Sequence, residues 1–407
     1  AEISKQNAGI AIKEMGWGLW KADGTSRTFG EMFDFPNPNA QQKCVIEATD
    51  DIQPPFLAIL EAPTGSGKTE SAFYLADQTM QRKQNAGLYI AMPTQATSNQ
   101  MFERTKKFLS KRYPEDALLL QLVHGATLLS NDYEKIRLRG IAVDEKAEDG
   151  NIVSSEWFLP KKKAMLAPFG VGTVDQTFLS VLTCKHFFLR LFGLSNKVII
   201  FDEVHAYDVY MMSIFQRLLP WLKAVNTSVI ILSATLPKSS RQELLRAWNP
   251  KAPDENNLVN FPRLSVCSNN EMPQVFSLGK TASRTVKIEL IESAETGDAV
   301  LGERLKELLS EGGNAAIICN SVNRTIQLYE SLQQYFPPEE LLVFHSRFPY
   351  FDRQRIEEKV KCLYGKESAV RPHRSVVIAT QVIEQSLDLD FDLLMSELAP
   401  IDLLIQR

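Results

Sequence analysis

The sequence predicts an α/β fold of two tandem domains, each a mostly parallel sheet with helices on both faces. Three observations carry this. Short apolar runs such as "VIIF" (198–201) alternate with helical stretches, as strands buried on both faces do. A Gly-rich turn joins the first such run to a helix. The alternation stops in a Pro- and Asn-rich stretch, 248–274, and then restarts. A chain of 407 residues agrees, at roughly 100–200 residues per domain.

Residues 1–35 read as a helix and a linker, broken at "GWGLWKADGTSRTFG". The first domain then runs over 36–260. "FLAIL" (56–60) is its first buried strand, followed by the Gly-rich turn and a helix from Lys68 to about Arg82. "GLYIAM" (87–92) and "ALLLQLVH" (117–124) are strands around the helix "QATSNQMFERTKKFLSKR". The polar stretch from Leu129 to Leu159 reads as an insertion. "FGVGTV" (169–174), "KVIIF" (197–201) and "SVIIL" (228–232) complete the strands, with helical segments between them. The second domain, 261–407, holds strand candidates "RTVKIELIE" (284–292), "NAAIICN" (314–320), "LLVFHS" (341–346), "SVVIAT" (375–380) and "FDLLMS" (391–396). In such sheets ligands gather beyond the carboxyl ends of the strands.

Composition excludes several classes. A hydrophobic fraction of 44% supports real cores, and no apolar run approaches the ~18 residues of a membrane span. Five scattered cysteines without a Cys-x-x-Cys pair fit a reducing cytoplasm rather than a disulfide scaffold. A net charge of −4 argues against a wholly basic nucleic-acid binder, but leaves room for a local basic track.

The chemistry begins at "EAPTGSGKTE" (61–70). Between a strand and a helix this is a P-loop. Thr64, Gly65, Ser66 and Gly67 wrap backbone N–H groups around phosphate, Lys68 reaches the β- and γ-phosphates of ATP, and the Thr69 hydroxyl ligates Mg2+. Such a site needs carboxylates on a neighbouring strand. "FDEVHAYD" (201–208) supplies them, with Asp202 for the metal and Glu203 to orient and deprotonate the attacking water. His205 completes Asp-Glu-x-His, and "SAT" (233–235) ends the next strand.

With these residues the chain resembles a superfamily 2 helicase of the DExH kind, which implies two RecA-like domains, the second incomplete here. The resemblance assigns Gln42 in "FPNPNAQQ" to adenine, with Gln41 as a rival register. It assigns Pro93 and Thr94 in "AMPTQATSNQM", and Thr173, Asp175 and Gln176 in "VGTVDQ", to nucleic acid. In the second domain it gives Asn320, Arg347, Thr380 and Gln381 to nucleic acid, and Asp388 to the ATP ribose. "DEVHAYD", "FHSRF" and "ATQVIEQSLDLDFD" are similar to the CRISPR-associated helicase–nuclease of type I systems. That resemblance implies single-stranded DNA translocation from 3′ to 5′ and loading by a Cascade-type surveillance complex.

Two departures set further expectations. The family's HD nuclease needs His-Asp ligands, but the five histidines here are scattered and no His-Asp dipeptide occurs. The nuclease is therefore expected in the full protein outside this stretch, or on another chain. Gln406 and Arg407 open the family's arginine-finger motif, Arg407 as a catalytic residue, and the sequence stops there. The chain as it stands is expected to bind ATP and hydrolyse it slowly. Contacts made to the backbone do not choose DNA over RNA, and an ATP-gated clamp that binds without moving would carry the same motifs.

Overall fold

The computed structural model describes residues 20–35, 37–83, 87–114, 118–123, 152–153, 164–234, 236–253, 261–268, 271–279, 286–291, 297–365, 368–384 and 389–407. The chain divides into two compact units, Ala1–Ala282 and Ser283–Arg407.

The first unit is built on nine strands: β1 (Phe56–Glu61), β2 (Leu88–Met92), β3 (Leu118–Val123), β4 (Ile152–Val153), β5 (Phe169–Thr173), β6 (Val198–Phe201), β7 (Ser228–Ser233), β8 (Arg263–Ser268) and β9 (Gln274–Ser277). Their order is β4-β3-β5-β2-β6-β7-β1-β8-β9. All neighbours are parallel except β1–β8 and β8–β9, which are antiparallel. The helices are α1 (Phe29–Met32), α2 (Ala40–Thr49), α3 (Lys68–Lys83), α4 (Gln95–Arg112), α5 (Val174–Phe178), α6 (Phe187–Leu194), α7 (Val209–Ala224) and α8 (Lys238–Trp248).

The apolar runs are continuous because both faces of the sheet are covered. Phe56, Ala58 and Leu60 of β1 enter one core, together with Val198, Ile200, Ile230 and Leu232. Leu57 and Ile59 enter the opposite core, with Ile199, Phe201, Val229 and Ile231. Each fully buried aliphatic or aromatic side chain contributes about 1.5–3 kcal/mol, so these central strands form a rigid platform for whatever follows their ends.

The second unit is a parallel sheet of β10 (Gly313–Ile318), β11 (Leu341–Phe344), β12 (Arg374–Ala379) and β13 (Leu393–Ser396), in the order β11-β12-β10-β13. Its helices are α9 (Gly297–Leu308), α10 (Val322–Leu332), α11 (Tyr350–Tyr364) and α12 (Ile401–Gln406). Ala315, Ile317, Val376 and Ile378 face one core, and Ile318, Val377 and Ala379 face the other. No described helix is long and apolar enough to cross a membrane.

Three expectations are corrected. The domain boundary was expected at 260/261, yet β8 and β9 close the first sheet beside β1, and the division falls between Ala282 and Ser283. Within 248–274, read as the linker, Arg263–Ser268 is strand β8 and Gln274 opens β9. Residues 20–35 are not a free linker either, since Phe29 and Met32 are buried in the first core and Trp20 packs edge-on to Phe169. Of the strand expected at 284–292, residues 286–291 pair with no described strand and are exposed. Most of the expected insertion, 129–151 and 154–159, lies outside the described residues.

Gly172 in β5 shows how tightly the platform is built. A Cβ there would meet the Val123 carbonyl oxygen, the Tyr89 hydroxyl at 2.5 Å and Val123 Cβ at 2.8 Å. Gly172→Ala is therefore expected to destabilise the first unit by about 1–3 kcal/mol through overpacking. Equilibrium denaturation checks this, and an unchanged midpoint would contradict the packing described.

Candidate nucleotide site and nucleic-acid face

The P-loop leaves the end of β1 and opens α3. Gly65 (φ 74°) and Gly67 (φ 81°) take the left-handed region that a loop closing on phosphate needs. The Lys68 ammonium donates to the carbonyls of Ala62 (2.7 Å) and Pro63 (2.8 Å), the stem of the same loop. Burial lowers Lys68 to about 8, against the opposing pull of Asp202 and Glu203. Thr69 stands in the first turn of α3 and Thr64 is exposed at the loop.

The adenine-motif residues lie against this loop. Asn39 caps α2, its side chain accepting from Gln42 N at 2.9 Å, while Gln42 Oε1 accepts from Asn39 N at 2.9 Å. This reciprocal capping box fixes both side chains. Asn39 Nδ2 then donates to Ser66 O at 2.9 Å, and Gln42 Nε2 to Gly67 O at 3.4 Å. A Cβ on Gly67 would meet Gln42 Nε2 and would lie 3.0 Å from Gln42 Cδ, so a side chain there would displace the Gln42 amide, besides being strained at φ 81°. Gln42, not Gln41, is the residue that reaches the loop.

The carboxylates follow β6. Asp202 N donates to Ala91 O at 3.1 Å, and Asp202 Oδ1 accepts from Glu203 N at 2.9 Å. Glu203 sits at φ 51°, a left-handed conformation costing about 1–3 kcal/mol in a non-glycine residue. Its carboxyl is pushed up to about 7 by burial and by Asp202, with Lys68 opposing. Burial also raises Asp202, against the Glu203 N–H, Lys68 and Arg104. A carboxylate so placed is one that a divalent cation would keep ionised. His205 Nδ1 lies 3.5 Å from Ser233 Oγ, and Ser233 O accepts from Ala62 N at 3.2 Å. One link thus joins the carboxylate turn, the end of β7 and the P-loop stem. Thr235 lies outside the described residues. Asp208 caps α7, accepting from Met211 N at 2.7 Å.

Register brings the other first-unit motifs to the same edge. Met92 of β2 pairs with Thr173 of β5, and Ala91 with Phe201 of β6. Pro93 and Thr94 therefore emerge beside Thr173, Asp175 and Gln176, one strand from Asp202. Thr94 caps α4, accepting from Thr97 N at 3.2 Å. Asp175 is exposed on α5, and Thr173 is buried at its start.

In the second unit Asn320, Arg347, Thr380 and Gln381 all follow carboxyl ends of strands. Phe344 and Ile318 flank Ala379 in register, and Thr380 N donates to Phe344 O at 3.1 Å. Gln381 Nε2 reaches Asn320 O at 3.5 Å, and Asn320 Nδ2 donates to Leu398 O at 2.8 Å. Arg347 Nη1 donates to Asn323 Oδ1 at 2.8 Å. Asp388 lies outside the described residues, and Gln406 falls in α12. Arg407 is bound within the second unit. Its Nε donates to Glu384 Oε1 at 2.7 Å and its Nη1 to Ser396 Oγ at 2.6 Å, with the ion pair nearly buried.

Sequence reading missed several residues. Arg104 on α4 pairs with Glu70 on α3, and its charge acts on Asp202. Asn39 had a signal, its place three residues before Gln42. Glu61 had none: directly before the P-loop it reads as one more polar strand end, yet it is only 2% exposed and ion-paired.

Comparison with known proteins follows the same division. A family described as "CRISPR-associated nuclease/helicase Cas3, C-terminal" matches residues 311–407, and one described as "Type III restriction enzyme, res subunit" matches residues 36–238. The CRISPR-associated endonuclease/helicase Cas3 of Thermus thermophilus is 39% identical, over 98% of this chain and 47% of its own length. That of Escherichia coli K12 is 35% identical, over 87% of this chain and 40% of its own. The crystal structure of T. fusca Cas3-ATP matches with a TM-score of 0.86 at 33% identity, covering 100% of this chain and 47% of that one. The chain spans about half the length of the T. thermophilus relative. With a family match in each unit and relatives aligned along nearly all of its length, this chain is similar to the helicase part of the CRISPR-associated Cas3 nuclease/helicases.

Proposed function

We propose that this chain is the ATP-driven, single-stranded DNA translocase of type I CRISPR interference, moving 3′ to 5′ on target DNA handed over by a Cascade-type surveillance complex. The observation that carries the reading is the shared edge of the first sheet. There the P-loop, the Asp202–Glu203 turn and the two nucleic-acid motifs follow strands set side by side. Nucleotide chemistry and strand contact are thus built on one rigid platform. The relatives support it: T. fusca Cas3 structures are named for ATP, AMPPNP and ADP, and a 32% identical chain belongs to a structure named "CRISPR RNA-guided surveillance complex, pre-nicking".

In this reading the loop N–H groups and Lys68 hold the triphosphate, and Gln42 meets the adenine. Thr69 and Asp202 would hold Mg2+, which when bound neutralises phosphate charge. Glu203 orients the attacking water and takes its proton. Asn320, Arg347, Thr380 and Gln381 grip the DNA backbone from the second unit, Asp388 and Gln406 meet the nucleotide, and Arg407 holds the 380–384 turn in place through Glu384. Strand cutting belongs to an HD nuclease, elsewhere in the full protein or on another chain.

The test uses the full-length protein. ATP-dependent displacement of streptavidin from the 5′ end of single-stranded DNA, with ATPase stimulated by poly-dT and not by poly-U, is the expected result. Stimulation by poly-U alone would make it an RNA enzyme, and DNA-stimulated hydrolysis without displacement would make it a clamp.

A further inference from the structure

We propose that Glu61, Arg241 and Arg263 form the anchor that sets the stem of the phosphate-binding loop, making Arg263 a positioning residue for nucleotide binding; this rests on the proposed function. Glu61 is the last residue of β1. Its Oε1 and Oε2 accept from Arg241 Nη1 at 3.0 and 3.1 Å, and its Oε2 also accepts from Arg263 Nε at 2.9 Å. Arg241 comes from α8 and is 1% exposed, while Arg263 opens β8 as the antiparallel partner of Glu61. On its other side Glu61 pairs in register with Ser233 of β7, whose hydroxyl faces His205. The residue is therefore held from three directions.

The next two residues show what this hold serves. Ala62 and Pro63 present the carbonyls that receive Lys68. Their orientation follows from where β1 ends, and the ion cluster sets that end. Neutralising Glu61 takes one arginine, and Arg241 does so in full burial. The second arginine adds direction: it ties the loop stem to β8, the antiparallel neighbour of β1. A carboxylate braced by two guanidiniums from different elements loses the freedom to rotate, and orientation of this kind is worth far more to a binding loop than to global stability.

Arg263→Met is the discriminating variant, because Glu61 keeps Arg241 and the fold survives. In the full-length protein, well below its unfolding midpoint, the KM for ATP is expected to rise about tenfold, with kcat held within about twofold. Glu61→Gln, which leaves two arginines without their carboxylate, is expected to raise KM further and to lower the melting temperature. A lowered melting temperature with unchanged KM in Arg263→Met would reduce the cluster to a structural role and overturn the inference alone. Wild-type protein that binds no ATP would overturn the proposed function and this inference together.

Discussion

Glu203→Gln is expected to bind ATP within about twofold of wild type and to hydrolyse it about 10²–10⁴-fold more slowly, the range that a positioned general base supplies. The substitution keeps the shape of the side chain and removes only its capacity to take a proton. The same residue sets a pH dependence. Burial and the adjacent Asp202 push Glu203 up to about 7. The base works as carboxylate, so activity is fully present above that value and is lost as pH falls through it. The kcat/KM profile, which reports the free enzyme, should show an acid limb near pH 7 in wild type, and Glu203→Gln should lack it. Stopped-flow phosphate release checks both, and equal turnover in the two proteins would remove Glu203 from the mechanism.

Lys68→Ala is expected to weaken ATP binding by roughly 2–5 kcal/mol, the cost of truncating a buried, hydrogen-bonded charge that faces an opposite one. Lys68 is the cation of the loop. Without it, Asp202 and Glu203 face the triphosphate with no counter-charge at the P-loop. Its charge also titrates: burial lowers Lys68 to about 8, so phosphate binding by the free protein weakens as pH rises through that value. Calorimetric titration at pH 7 and pH 9 measures both effects, and wild-type affinity in Lys68→Ala would sink the loop assignment.

Much of this was written locally. The strand–Gly-rich loop–helix order around Lys68 and the pair of carboxylates after "VIIF" are short-range patterns, because phosphate binding and water activation need particular groups at the ends of particular elements. The run of buried strands was legible for the same reason, since a sheet covered on both faces demands unbroken apolar residues. The antiparallel strands β8 and β9 were not legible. β8 and the start of β9 read as a linker because Pro and Asn crowd the sequence around them, and only the pairing of β8 with β1 and of β9 with β8 shows where they belong. The stretch 284–292 made the opposite error, with a strand's pattern and no described partner.

The sequence alone determined the order of motifs along two α/β units: a Gly-rich loop between a strand and a helix, and an acidic pair directly after an apolar strand. Tertiary structure alone decided how that chemistry is held. Glu61 meets Arg241 and Arg263 across 180 and 202 residues of chain. Arg407 is bound to Glu384, and Gln42, not its neighbour Gln41, reaches the P-loop. The physical reason is range. Loop conformation and strand periodicity are set by neighbours in sequence, whereas the partner of a buried charge is whichever group the packing of distant elements brings within 3 Å or so, the distance at which a hydrogen bond can offset desolvation.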